Sequence, residues 1–455
     1  MSRVPASSIR PLLIRSLLAA ALISGCSPVT DPIGDPGRPD LAKAPAGPTV
    51  TSALPSYAHQ GDAAVAVRIL GSGFDQGSVA SWEREGAADL KVSVLSTRFV
   101  SSTELVATID VASDAAISLY DVAVTTSTRK KGIGMERFTV TVAQPIGTLG
   151  GNTLARAVND QGATVGYSML GSSQHAFFAA PGAAMADLGP GQAYDLDITG
   201  STVVGWIGGE AVVWRASGSS WPSSRLPDNG AGSRATAIAT TTSGLLIGGS
   251  VNVPAGRNKS QSKAALWRED EGSSWTLQVF ALPEGFSTAG IEDVNWQGQA
   301  VGTAGGPYKQ VYVWEADGTP VPLASPAGDL LPHAFGINPA GTIVVGQSSG
   351  GAVYWKRDAE GNWLPPRVLE SCGRAIEVND AGMIVGQGCQ NATLWVLAED
   401  GTVTRRLPGL GGSSDAPAVE GINNAESPLA AGKAKQQGSP IDEGVIWNLS
   451  SLTAQ

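Results

Sequence analysis

The chain has 455 residues, a formal net charge of −10, 58 glycines and only 15% charged residues. Acids outnumber Lys and Arg, which argues against nucleic acid as a partner, because a phosphate backbone demands clustered positive charge. Long helical periodicity is absent, so helical repeats are excluded and an all-β reading follows.

Residues 1–26 read as a processing signal. Arg3, Arg10 and Arg15 make a positive leading segment, and Leu17–Ile23 is an apolar core too short to span a bilayer. The segment ends in Ile23-Ser24-Gly25-Cys26, which resembles the lipobox of bacterial lipoproteins. That resemblance implies acylation of Cys26, a stable membrane anchor and, with Ser27 next, a place in the outer membrane of the bacterial cell envelope. An ordinary signal peptide with an incidental Cys is the alternative. Residues 27–47, rich in Pro, Gly, Asp and Ala, read as a disordered tether.

Residues 48–143 read as a small all-β domain. Alternating runs at Val65–Leu70, Val92–Leu95, Leu105–Val111, Tyr120–Thr125 and Phe138–Val142 are separated by turn signals. The phrase Ile69-Leu-Gly71-Ser-Gly73-Phe74, with Pro55, Gly61, Phe99-Val-Ser-Ser-Thr103 and Tyr120-Asp-Val122, resembles the IPT/TIG family of immunoglobulin-like domains. The resemblance implies a sandwich used as a spacer or binding module. Arg129-Lys-Lys131 reads as a solvated turn.

A phrase then recurs through residues 144–450. Its cleanest copy, Ala375 to Trp395, is an apolar strand, an Asn-x-x-Gly turn, a second apolar strand ending in Gly, and a third closing on Trp. Anchoring on that Gly gives Gly166, Gly205, Gly248, Gly302, Gly346, Gly386 and Gly432, at spacings of 39, 43, 54, 44, 40 and 46. Such a period with short strands predicts a seven-bladed β-propeller. The turns Asn159–Gly162, Asn295–Gly298, Asn338–Gly341 and Asn379–Gly382 carry type I turn chemistry. Trp214, Trp267, Trp314, Trp355, Trp395 and Trp447 close third strands, with Ala179 in that place in the first unit. A residue repeated once per unit is expected to fill the wedge between blades rather than to form a ligand platform. The seventh unit lacks room for a fourth strand, and one near residues 140–149 is expected to supply it, removing an exposed edge.

The phrases Gly147-Thr-Leu-Gly-Gly151, Ala375-Ile-Glu-Val-Asn-Asp-Ala-Gly382 and His175-Ala-Phe177 resemble the bacterial extracellular HAF repeats over about residues 145–449. This implies a secreted or surface propeller-like protein and supplies no catalytic residues.

Cys372 and Cys389 flank the sixth unit's hairpin, where a simple turn sets them opposite each other, so a structural disulfide is expected. Neither a metal site nor a cofactor is implied. His59, His175 and His333 show no ligand spacing, and Asp195-Leu-Asp197 carries too few oxygens for a calcium loop. No serine-nucleophile or phosphate-binding motif occurs.

The reading that follows is a surface-anchored, monomeric lipoprotein with a non-catalytic binding or scaffold role, its loops recognising a glycan or envelope protein. Asn252–Ser262, with Arg257, Lys259 and nearby Lys263, and Gly432–Glu443 are the candidate surfaces. The alternative is a polysaccharide hydrolase or lyase using channel carboxylates such as Asp195, Glu292 or Glu377, a reading that buried, clustered carboxylates would favour.

Overall fold

The computed structural model describes residues 47–453 except 229, 257, 258, 271–273, 326, 327, 330, 390, 399, 400 and 412–414. The expected signal peptide, Cys26, residues 27–46 of the tether and Arg257 lie outside the described residues.

Residues 49–141 form two packed sheets, of four and five strands. The five expected runs are strands, joined by Thr49–Leu54, Tyr57–His59, Val79–Arg84 and Ala87–Ala88, whose shorter or less regular patterns carry weaker signals. One core fills the space between them, with Trp82 edge-on to Phe138 at 5.5 Å, and with Tyr120, Ile69 and Leu105.

From residue 143 the described residues form seven four-stranded antiparallel sheets in succession, a β-propeller-like array. The first six use consecutive strands; the seventh takes its outermost strand, Ala143–Gly147, from ahead of the first sheet, paired with Glu443–Asn448. Seven separate apolar clusters lie between neighbouring sheets, including one of Ala155, Val158, Phe177, Ala179 and Ala431 that joins the first sheet to the seventh. The array therefore returns on itself.

Three side-chain types impose this arrangement. The six Trp are almost wholly buried. Four donate Nε1–H to a carbonyl in or just past the preceding sheet's last strand: Trp214 to Leu188 at 3.1 Å, Trp267 to Pro227 at 2.7 Å, Trp355 to Ala324 at 2.7 Å and Trp447 to Pro408 at 2.8 Å. The turn Asn does more than close its own turn. Asn159 Oδ1 accepts from the amides of Gln161 and Ala163, while its Nδ2 donates to the Asp197 carbonyl of the next sheet. Asn295, Asn379 and Asn423 repeat the link, and Asn423 to the Asn159 carbonyl at 3.0 Å completes it across the seam.

The third device is a β-bulge in the first strand of every sheet. It brings the carbonyl two residues before the inserted residue against the facing strand, where a Cβ would overlap it. Gly166, Gly205, Gly302, Gly346, Gly386 and Gly432 stand there. In the third sheet this place belongs to Gly249, paired with Ala235, and not to Gly248. The sequence anchor for that unit is corrected by one residue; Gly248 instead makes room for Ile291 and Val294 of the fourth sheet.

Cys372 and Cys389 form a disulfide with Cα atoms 5.2 Å apart. The route differs from a simple hairpin. Val378 pairs with Ile384 beside the turn, one residue out of the simple register, and the bulge before Glu377 restores Ala375 to Gly386 and Arg374 to Gln387. Two offsets of opposite sense cancel.

Candidate functional site

A bulge inserts one extra residue and re-aims its side chain. In the seven first strands, Thr153–Val158, Gln192–Leu196, Ser233–Thr241, Thr288–Val294, His333–Ile337, Arg374–Val378 and Ala418–Ile422, the inserted residues are Arg156, Tyr194, Thr236, Glu292, Phe335, Ile376 and Glu420. All seven line one cavity of about 330 Å³ on the axis of the array. That volume suits a small ligand or the end of a chain.

The side chains differ in kind around the ring. On one side two guanidinium groups pack over the Tyr194 ring, Arg156 at 4.6 Å and Arg234 at 4.3 Å from its centroid. Gln192 Oε1 accepts from Tyr194 Oη at 2.9 Å and from Arg156 Nη2 at 3.4 Å. Neither arginine forms an ion pair among the described residues, and Arg156 Nε is buried with no hydrogen-bond partner. Across the cavity His333 stacks on Phe335 at 4.5 Å, and Arg374 is matched to Glu420 at 3.8 Å. Burial, with help from Lys309 and Arg374, pushes His333 down to about 4. The neutral ring donates Nδ1–H to the Ala334 carbonyl at 2.9 Å, leaving Nε2 as an acceptor 3.8 Å from Glu292. Burial also raises Glu292, against the pull of Arg234 and Lys309. Thr236 donates its hydroxyl to the Ile291 carbonyl of the next sheet at 2.8 Å.

The residue after each bulge forms a second layer: Ala157, Asp195, Ala237, Asp293, Gly336, Glu377 and Gly421. Acids occupy the second, fourth and sixth sheets, and small residues the others. Asp195 accepts amides from Leu196 and, across the gap, Ile238, both at 2.8 Å. Asp293 does the same with Val294 at 2.7 Å and Ile337 at 2.8 Å. Glu377 accepts from Val378 and leans toward Gly336, whose missing Cβ makes room for it. Burial is the main cause that pushes Asp195 up to about 8 and Asp293 up to about 7, and it drives Glu377 well above the usual range; Asp293 adds to the rise of both Asp195 and Glu377, and Glu292 to that of Asp293. Water reaches part of each acid from the cavity, so protein walls rather than full enclosure supply this burial.

Of the carboxylates expected in the channel, Asp195 and Glu377 share one position, and Glu292 sits one residue earlier, on the bulge. Its neighbour Asp293 is their counterpart. Arg156, Tyr194, Arg234, Phe335 and Glu420 were not found by sequence reasoning. Counting two residues back from each turn Asn or Asp would have aligned the acids.

Other expected features lie elsewhere. The six Trp are between sheets and do not line the cavity. Asp197 takes the turn position, accepting from Thr202 at 2.7 Å. His59 bonds the Ala143 carbonyl at 2.9 Å, and His175 contacts Asp187 at 2.9 Å, away from His333. Asn252–Ser262 begins and ends as the paired tip of an extended hairpin. Within Gly432–Glu443, Gln437 contacts Ala53 at 3.3 Å and Ser56 at 3.1 Å, so part of that loop is spent on the N-terminal sheets. Glu370 with Cys372 and Cys389 is the grouping of metal-type donors within 4.8 Å among the described residues, but both sulfurs are bonded to each other.

No family model matches the chain, and no curated protein matches it. Solved structures do. Acylaminoacyl peptidase from Pyrococcus horikoshii is 11% identical, with a TM-score of 0.42 over 67% of this chain and 54% of the peptidase, so the alignment spans about half of that protein. The β-propeller domain of Myceliophteria thermophila Cps50 (Swd1) is 10% identical, with a TM-score of 0.44 over 68% of this chain and 99% of that domain.

Proposed function

We propose that the chain is a surface-anchored recognition protein: lipid-anchored through Cys26, raised on a tether and an immunoglobulin-like sandwich, and binding its ligand at the mouth of a seven-bladed propeller. The observation that carries this reading is the contrast at the bulge. Positions that build the array repeat in nearly every sheet as Gly, Trp or Asn. At the bulge the fold requires an extra residue but no particular one, and there the seven sheets supply Arg, Tyr, Thr, Glu, Phe, Ile and Glu. A position free of structural demand that gathers unlike polar and aromatic groups around one cavity suits recognition. A glycan or the exposed end of an envelope protein fits its size.

The test is binding of the full mature chain to a glycan array and to solubilised envelope fractions. Binding that disappears in a Tyr194→Ala, Phe335→Ala double variant, but survives trimming of 252–262, supports the reading. Binding lost only on trimming would move the site to the hairpin tip. The anchor is tested separately by fatty-acid labelling, which Cys26→Ser should abolish.

A second reading is favoured by one observation. Asp195, raised to about 8, would be protonated at neutral pH, as a general acid in glycoside cleavage must be. Its two amide bonds give it a structural role as well. Release of reducing ends from an envelope polysaccharide, abolished in Asp195→Asn, would establish this reading over simple binding.

A further inference from the structure

We propose that Arg156 and Arg234, both packed against the ring of Tyr194, receive the single carboxylate of an acidic sugar residue. This rests on the channel mouth being the binding site, and it names the ligand's class.

The argument begins with what is unmatched. Arg374, by contrast, faces Glu420 at 3.8 Å. Arg156 and Arg234 lie within reach of the same ring, at 4.6 and 4.3 Å, and neither is ion-paired among the described residues, although Arg234 exerts a pull on the Glu292 carboxyl. Two guanidinium groups packed against one ring, one with a buried Nε lacking any partner, form an arrangement that an anion would complete. Gln192, bonded to both Arg156 and Tyr194, fixes the geometry. A planar carboxylate can take two parallel N–H bonds from a guanidinium, which a point charge such as Lys could not supply.

The rest of the mouth limits how much negative charge the ligand can carry. Glu292 and Glu420 stand on the sheets next to those of Arg234 and Arg156, and Asp195, Asp293 and Glu377 line the same cavity. A polyanion such as a polyphosphate would meet these carboxylates along its length. A molecule with one anionic end and a body of hydroxyl groups would not. Glu292, Glu420 and the free Nε2 of His333 are hydroxyl acceptors, and Phe335 offers an apolar surface among them. One carboxylate on a hydroxyl-rich body describes a hexuronic acid residue.

The experiment is isothermal titration of the full mature chain with three probes: trigalacturonate, its fully methyl-esterified form, and inorganic phosphate. The expected result is measurable binding of the acid, at least tenfold weaker binding of the ester, and no competition by phosphate at equal concentration. Arg156→Gln and Arg234→Gln should each weaken the acid at least tenfold, with unfolding temperatures checked alongside. Arg234→Lys, which keeps the charge and loses the fork, should recover only part of the affinity and guards against loss of fold. Equal binding of acid and ester would overturn the proposal while leaving the mouth as a binding site. Phosphate displacing the acid would replace the carboxylate by a phosphoryl group. Silence toward every acidic saccharide, with a neutral glycan or envelope protein bound at the mouth, would also overturn it; silence toward all ligands would instead sink the recognition reading itself.

Discussion

The wedges between sheets and the mouth of the channel lie on the same strands and obey opposite rules. In the wedges the same side chains recur: a Trp from the third strand, an Asn from the turn, a Gly opposite the bulge. At the mouth almost nothing recurs. The wedge positions are fixed by packing, because each sheet must fit the next at the same angle and distance, and seven equal problems receive nearly equal solutions. The mouth residues touch a cavity, so packing leaves them free to differ. Where a repeat protein stops repeating, something other than the fold has chosen the residue.

This division can be broken or sharpened by substitution. The largest loss is expected at a wedge. Trp214→Ala should destabilise by about 3–5 kcal/mol, and Trp214→Phe by roughly 1–2, since it keeps most of the packing and loses the bond to Leu188. Urea unfolding would measure both, and a Trp214→Ala cost below about 1 kcal/mol would mean that the wedges do not hold the array together. Next comes Gly346→Ala, whose methyl would strike the His333 carbonyl. A cost of about 3 kcal/mol is expected, the upper range for overpacking. The same change at the exposed turn glycine Gly361 strains φ without meeting a neighbour and should cost less.

Asn379→Ala removes two links at once, the amide of Met383 and the carbonyl of Asn423 in the next sheet. About 1–3 kcal/mol is expected, because a buried carbonyl is left unmatched. Hydrogen exchange should show the loosening in both the sixth and seventh sheets; protection changes confined to the sixth would contradict the role as a link.

Asp195 gives a smaller effect that depends on pH. Its folded pKa of about 8 stands above the ordinary aspartate value of 3.8. The carboxyl therefore favours the folded state fully at or below pH 4, and that contribution is lost as pH rises toward 8. Asp195→Asn should leave stability nearly unchanged at pH 4 and raise it by about 1–3 kcal/mol at pH 9. Denaturant midpoints that run parallel for the two proteins across this range would contradict the burial of this carboxyl. The smallest change is expected at the mouth, where Ile376→Ser should shift stability by less than about 1 kcal/mol.

What the sequence could disclose follows the same division. Trp and the Asn-x-x-Gly turns are chemically distinctive and sit at regular intervals, so strand order, the shared seventh sheet and the disulfide could be read from them. A bulge has no residue type of its own. Its only trace is the Gly on the facing strand, and where two glycines adjoin, as at Gly248 and Gly249, the trace is ambiguous by one residue. That single step hides which side chain faces the channel, because neighbouring strand residues point to opposite sides. Asp195, Glu292 and Glu377 consequently looked unrelated, although two of them are equivalent and the third has its equivalent next door. The pairing of Arg156 with Arg234 was hidden for another reason: it joins the first sheet to the third through a tyrosine of the second, and only the packing of successive sheets brings the three together.

The most direct test of the account is one variant measured two ways. Arg156→Gln combined with Phe335→Ala changes the mouth on both sides and touches no wedge. The account predicts an unfolding midpoint within a few degrees of the natural chain, together with loss of ligand binding. A variant that unfolds as readily as Trp214→Ala, or one that binds undiminished, would contradict the separation of a repeated frame from a recognising mouth.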